Sequence, residues 1–275
     1  MKTCQTIRSV ILGAALGLGL AGSAALPARA DVKEEFHQTY PLADKGRIRL
    51  SNVNGSIHIT AWDRAEVQVD AIKRAKKPEH LREVKIEVTS EKDLLRIETK
   101  HPSSRSGGWS FFGRSNSASV EYRLQVPRQA ELAKISSVNG SLQIEGVTGP
   151  VKASTVNGSV TARDLASPAE LNSVNGALTA AFRKMDGEKS SSFKTVNGSI
   201  TVSLPGEAAA KLEVHTLNGG IHNDFNLPVK SPFPIGHNLE AQIGTGGPLI
   251  KMDTVNGRVQ IKRAGHSQIL EEPVK

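Results

Sequence analysis

Ser-Thr-Val-Asn-Gly-Ser-Val, residues 154–160, returns eighteen positions later as Asn-Ser-Val-Asn-Gly-Ala-Leu, residues 172–178, and stands eighteen positions earlier as Ser-Ser-Val-Asn-Gly-Ser-Leu, residues 136–142. Four more copies centre on Asn54-Gly55, Asn197-Gly198, Asn218-Gly219 and Asn256-Gly257, joining Asn139-Gly140, Asn157-Gly158 and Asn175-Gly176. The residue before each Asn is Val or Leu, and an aliphatic follows each Gly by two: Ile57, Leu142, Val160, Leu178, Ile200, Ile221 and Val259. A supersecondary unit reused this often is an architectural element, because each copy buries its apolar face only against its neighbours.

Asn-Gly between apolar alternations is also a strong hairpin signal. A two-residue hairpin at Asn139-Gly140 places Val138 on the face of Ser136, Ser141 and Gln143, opposite Ile135, Leu142 and Ile144. A corner between two strands lining one interior avoids that conflict. In this reading Leu142, Ile144, Val147, Val151, Ala153 and Val156 point inward around one coil, and Val160, Ala162, Leu165, Ala169, Leu171 and Val174 around the next. Eighteen residues at about 3.3 Å each suffice for two or three short strands with corners. Glycine is expected to supply a positive φ at the bend, and stacked asparagines to form a hydrogen-bonded ladder. The fold class predicted is all-β, a β-solenoid of coils of about 18–22 residues with Asn-Gly corners. The longer later intervals are expected to carry surface insertions at Arg183–Ser190 and within Phe225–Gly247.

The 85 residues between the first two copies have a different texture. Alternation at Val67–Ile72, Val84–Thr89, Leu94–Thr99 and Val120–Val126 predicts an antiparallel β meander capping the solenoid, with a turn of helix at Pro78–Glu83. The organisation expected is therefore a leader over 1–30, an N-terminal β region over 31–130 containing the first copy, solenoid repeats over 131–265, and a tail over 266–275.

The leader is read from Lys2 and Arg8, an uncharged stretch from Ser9 to Ala28, and the small-x-small end Ala28-Arg29-Ala30, a secretory signal pattern cleaved near Ala30. The mature chain, with no further long apolar run to span a membrane, is then extracytoplasmic, either periplasmic or secreted. Cys4, the single cysteine, falls in the leader, so packing and backbone pairing must hold the fold. Taking the leader's three basic residues from 35 leaves 32 against 27 acidic, a formal +5. So mild and dispersed an excess argues against nucleic acid and permits contact with anionic envelope material.

The leader, the stretch Ile57-His58-Ile59-Thr60-Ala61-Trp62-Asp63-Arg64 followed by Val67-Gln68-Val69, the loop with Gly107-Gly108-Trp109, the strand closing on Val126-Pro127 and the stacked Val-Asn-Gly-Ser-Val coils together resemble a bacterial family of candidate adhesins of unknown function. The resemblance spans nearly all of the mature chain. It implies a β-solenoid in the cell envelope and carries over no catalytic residue.

No nucleophile elbow occurs, and the Ser after most corner glycines reads as a turn residue. Paired acids stand at Glu34-Glu35 and Glu271-Glu272, near the mature termini. His215 and His222 bracket one corner without a third ligand, and Gly244-Thr245-Gly246-Gly247 lacks the aspartate of a calcium-binding roll. The Asn-Gly-Ser sequences at 54, 139, 157 and 197 match a glycosylation acceptor, but coils under about 5 Å apart leave no room for glycans on adjacent ones. The reading is a non-enzymatic, adhesin-like or scaffolding module with no catalytic, metal or cofactor residue, its partner an envelope polymer, glycan or envelope protein. The alternative is a carbohydrate-active β-helix enzyme, a polysaccharide lyase or hydrolase, since stacked coils host both. One segment stands apart: Pro102–Ser119 is rich in Gly and Ser and carries Trp109, Phe111, Phe112, Arg105 and Arg114. It is expected either to contact the partner or to plug the open end of the solenoid.

Overall fold

The computed structural model describes residues 31–101, 118–185, 189–230 and 236–264. The leader, residues 102–117 of the aromatic segment, residue 265 and the tail over 266–275 lie outside these residues.

Two ten-stranded sheets face one another across a single apolar core. Each central coil contributes one strand to each sheet. The strands that precede the corners, β8 (Glu131–Asn139), β10 (Val151–Asn157), β12 (Ala169–Asn175) and β14 (Ser191–Asn197), lie in one sheet, here sheet B, the other being sheet A, and each ends on its corner Asn. Their sheet-A partners β9 (Leu142–Glu145), β11 (Val160–Leu165), β13 (Leu178–Phe182) and β15 (Ile200–Pro205) begin two residues after the corner Gly. Pairing between coils is parallel on both sides, with Asn139, Asn157, Asn175 and Asn197 in register. The flanking strands therefore do not pair with each other across Asn-Gly, and the solenoid stands.

The inward assignment needs one correction. Leu142, Ile144, Val147, Val151 and Ala153 are buried, but Val156 is not: Val138, Val156 and Val174 are 40%, 39% and 40% exposed. Strand alternation of period two continues to the corner, so Thr155 takes the inward position and Val156 the outward one. The buried hydroxyl is satisfied, donating to the Gly140 carbonyl of the preceding coil at 3.0 Å. A hydrogen bond to a neighbouring coil thus makes a polar residue acceptable where an aliphatic was expected.

The glycine requirement also has another cause than the one expected. Of the corner glycines only Gly55 has a positive φ, +120°. At Gly158 and Gly176 a Cβ would lie 2.2 and 1.9 Å from the carbonyl oxygen of the previous coil's glycine. Close approach of stacked backbones excludes any side chain there.

In the N-terminal region, β2 (Arg47–Ser51) and β3 (Ile57–Trp62) form a first coil on β8 and β9. Antiparallel pairs extend both sheets beyond it. β1 (Val32–Pro41), β4 (Glu66–Ala75) and β7 (Ser119–Pro127) continue sheet A. β5 (Lys85–Glu91) and β6 (Leu94–Lys100) continue sheet B, reached through the short helix α1 (Pro78–Glu83). β7 and β6 join the first coil in parallel, so the antiparallel cap is divided between the two sheets rather than being one meander. Tyr122, buried in this end, bonds the Thr99 hydroxyl at 2.7 Å, and burial pushes its phenol pKa up.

The C-terminal coils break sequence order. β16 (Ala210–Asn218) and β17 (Ile221–Asn223) do not stack on β14 and β15. β19 (Leu249–Asn256) and β20 (Val259–Ala264) occupy that place, and β16 and β17 pair on their far side. The stretch Phe225–Gly247 is therefore more than a surface insertion. It contains β18 (His237–Ile243), antiparallel to β16, and returns through Gly244 and Gly246 at positive φ to thread β19 between β14 and β16.

Candidate functional site

The seven corners converge on one edge, in the spatial order 54, 139, 157, 175, 197, 256, 218. The Nδ2 of every corner Asn but Asn54 donates to the Oδ1 of its neighbour, at 2.8–2.9 Å, in an unbroken ladder from Asn218 to Asn54. Beneath it the Ser or Thr of each repeat donates to the preceding glycine carbonyl, as Ser173 does to Gly158 and Thr195 to Gly176, both at 3.0 Å. In the first copy Asn52 fills that role, reaching the Val120 carbonyl at 2.8 Å. Three of the four letters of the motif are thus used inside the fold.

The fourth is not. Val138, Val156, Val174, Val196, Val255 and Leu217 form an outward row beside the Asn ladder, each between 38% and 46% exposed. Towards its distal end Val196, Val255 and Leu217 line a groove of about 500 Å³, together with Lys194, His215 and Asp253, and with Gly236 and Asn238 on the side of β18. Sequence reading missed this row by turning Val inward; the alternation running from Val151 through Ala153 to Thr155 was the signal that could have found it.

Charges flank the row in pairs. Lys152 meets Glu170 at 3.2 Å and Lys194 meets Asp253 at 3.9 Å, each across adjacent coils. Lys251 bonds Glu213 across the β16–β19 seam, and His215 approaches Glu213 at 3.2 Å and Asn238 at 3.1 Å. The hydrogen bond from Lys251, then that from His215, holds the Glu213 carboxyl below its ordinary pKa, while the bond to Glu213 raises that of Lys251. His222 lies on β17 in the other sheet, near Asp224 at 3.7 Å, so the two histidines bracketing that corner are not brought together. Among the described residues no group of three His, Cys, Asp or Glu is placed to hold a metal ion.

A parallel two-sheet solenoid with these corners matches the Toastrack model, DUF4097, over residues 48–262. The chain belongs to the Toastrack family. No curated protein matches it. Among solved structures a candidate cell adhesion protein from Clostridium sporogenes is 15% identical, with a TM-score of 0.47, covering 86% of this chain and 100% of its own. A candidate adhesin from Bacteroides fragilis is 14% identical, with a TM-score of 0.34, covering 84% of this chain and 97% of its own. Likenesses this distant transfer no residue role to the Toastrack domain described here. No helix among its described residues is long and apolar enough to cross a membrane.

Proposed function

We propose that this protein is a non-catalytic, adhesin-like scaffold of the bacterial cell envelope, exported by its leader and binding an envelope polymer, glycan or envelope protein. One observation carries the reading: the ladder-locked coils make a stiff rod, and the residues that bound the aromatic segment lie towards its N-terminal end. Ten strands at about 4.8 Å give a sheet on the order of 45 Å long. His101 and Ala118, which bound the segment, follow β6 and precede β7, the strands stacked directly on the first coil in opposite sheets, with β5 beyond the one and β4 and β1 beyond the other. A rigid body presenting one segment of Trp109, Phe111, Phe112, Arg105 and Arg114 suits attachment, because aromatic rings and guanidinium groups together grip sugars, headgroups and acidic surfaces.

Replacing Trp109, Phe111 and Phe112 together by Ser tests it. Retention on isolated envelope material should fall severalfold with the melting temperature unchanged; a large drop in melting temperature with retention intact would instead make these rings a plug. A second reading, carbohydrate chemistry, draws on the Asp253 and Lys194 pair in the groove. Turnover of an envelope polysaccharide, abolished by Asp253→Asn, would establish it and overturn the scaffold reading.

A further inference from the structure

The exposed aliphatic row has no role inside the fold, and the protein supplies its own comparison for it. On the outward face of sheet A the position three residues after each corner Gly runs, coil by coil, His58, Gln143, Thr161, Thr179, Thr201, Gln260 and His222. Every one is polar. Thr is β-branched like Val, so strand propensity alone would be met by Thr in either row. Sheet A uses it, whereas sheet B keeps Val or Leu at the equivalent exposed row. A row kept apolar against solvent over six coils is a surface to be covered.

We infer that the row is a self-association surface, covered by the same row of a second copy of this chain. Three features select that occupant. The first is period: side chains repeating at the inter-coil spacing of about 4.8 Å interdigitate along their whole length only with a ladder of equal spacing, as facing sheets of identical strands do. A second copy has that spacing by construction. The second is charge. From β10 to β16, Lys152–Glu170, Lys194–Asp253 and Lys251–Glu213 neutralise one another within the face, and the cations Arg96, Arg49 and Lys134, aligned across β6, β2 and β8, stand at one end of it only, so a copy laid antiparallel does not set that block against itself. The third is area. Six coils and the strands either side of the row make a face roughly 24 Å by 20 Å. Its plan area of about 480 Å² is a little over half of the roughly 800 Å² per partner of a standard interface, which fits a weak dimer. Its residues are distinct from Trp109, Phe111, Phe112, Arg105 and Arg114, proposed to meet the envelope, so either assignment can fail alone.

The test uses protein beginning at Asp31, which holds every described strand and, lacking Cys4, no cysteine. Sedimentation should give a dimer whose dissociation constant rises at least tenfold in the variant Val138→Thr, Val156→Thr, Val174→Thr and Val196→Thr, with the melting temperature of the dilute monomer unchanged. Val174→Cys, singly, should cross-link through a bismaleimide spanning about 10 Å, the separation of face-packed sheets, while Thr179→Cys on sheet A should not. That single substitution keeps the test open if the fourfold variant fails to fold. A wild-type monomer at about 100 μM, a dimer indifferent to the Thr substitutions, or equal cross-linking through position 179 would overturn the inference. Loss of polysaccharide retention in the Thr variant of a monomeric protein would overturn it too, in favour of a glycan on the row.

Discussion

The coils of β8 to β15 and the final coils of β16 to β20 share one corner motif yet are assembled differently. The first group stacks in chain order with short returns. In the second, the copy at 254 sits between those at 195 and 216, although all three present the same Asn, Gly and Thr to one another. The corner therefore specifies how any coil meets a neighbour and leaves open which coil that neighbour is. Order comes from what joins the corners: β18, pairing antiparallel with the outer side of β16, leaves only its inner side for β19. Cross-coil charge pairs occur in both regions: Lys152–Glu170 bridges β10 and β12, and at the rearranged end Lys251–Glu213 bridges β19 and β16 and Lys194–Asp253 bridges β14 and β19.

The largest effect that probes the shared corner is expected at Gly176. Its Cβ would meet the Gly158 carbonyl oxygen at 1.9 Å, backbone that cannot yield without parting two coils. Gly176→Val should cost about 4 kcal/mol or more, or prevent folding. Gly206→Ala is the matching control, since nothing stands within 4 Å of its Cβ, and denaturant midpoints should place it within about 0.5 kcal/mol of wild type. Equal midpoints for the two would mean that coils adjust their spacing freely.

Next comes the buried hydroxyl. Thr195 is 4% exposed and donates to the Gly176 carbonyl at 3.0 Å. Thr195→Val keeps the shape and removes the donor, leaving a carbonyl inside the corner short of one partner, a loss of about 2 kcal/mol by urea unfolding. Thr254→Val removes the same bond to Gly198 at the rearranged junction, and an equal loss there would confirm that the corner works alike in both regions. The exposed ladder should matter less. Asn157→Ala breaks two amide bonds and should cost about 1 kcal/mol, whereas Asn218→Ala at the chain's end breaks one and should cost about half as much.

These contrasts also explain what the sequence could and could not convey. The solenoid, a coil of two or three short strands and the asparagine ladder follow from a motif whose period is visible without any partner. The inward assignment failed at Val156 because burying Thr155 depends on a carbonyl supplied by another coil, which no local pattern displays. Glycine was foreseen for φ, but the nearness of Gly158 to Gly140 is a stacking distance, absent from one coil's own sequence. The placement of β19 inside β16 was illegible for the same reason that makes the motif robust, because identical corners are interchangeable. The face bearing the aliphatic row became visible only once Val was known to point outward.

The smallest effect, a pH dependence, distinguishes the two regions directly. Glu213 titrates below its ordinary value because Lys251, and then His215, bond its ionised form. A depressed folded pKa adds stability above the unfolded value, near 4.3 for Glu, and that contribution disappears as pH falls through the folded pKa. Lys251 carries the opposite sign: its raised pKa contributes below the ordinary lysine value and is lost as pH climbs past it. The seam between β16 and β19 should therefore be firmest at intermediate pH and loosen first below about pH 4, before the central coils, where the corner bonds involve no titrating group. Amide exchange across pH 3–7 would register this as protection lost in Ala210–Asn218 ahead of Val151–Asn157. Glu213→Gln should flatten that difference while leaving the central coils unchanged, since the amide holds the seam geometry without the charge. If the two regions lose protection together in wild type, the cross-seam pair contributes nothing to holding the rearranged coil, and β18 alone must secure its order.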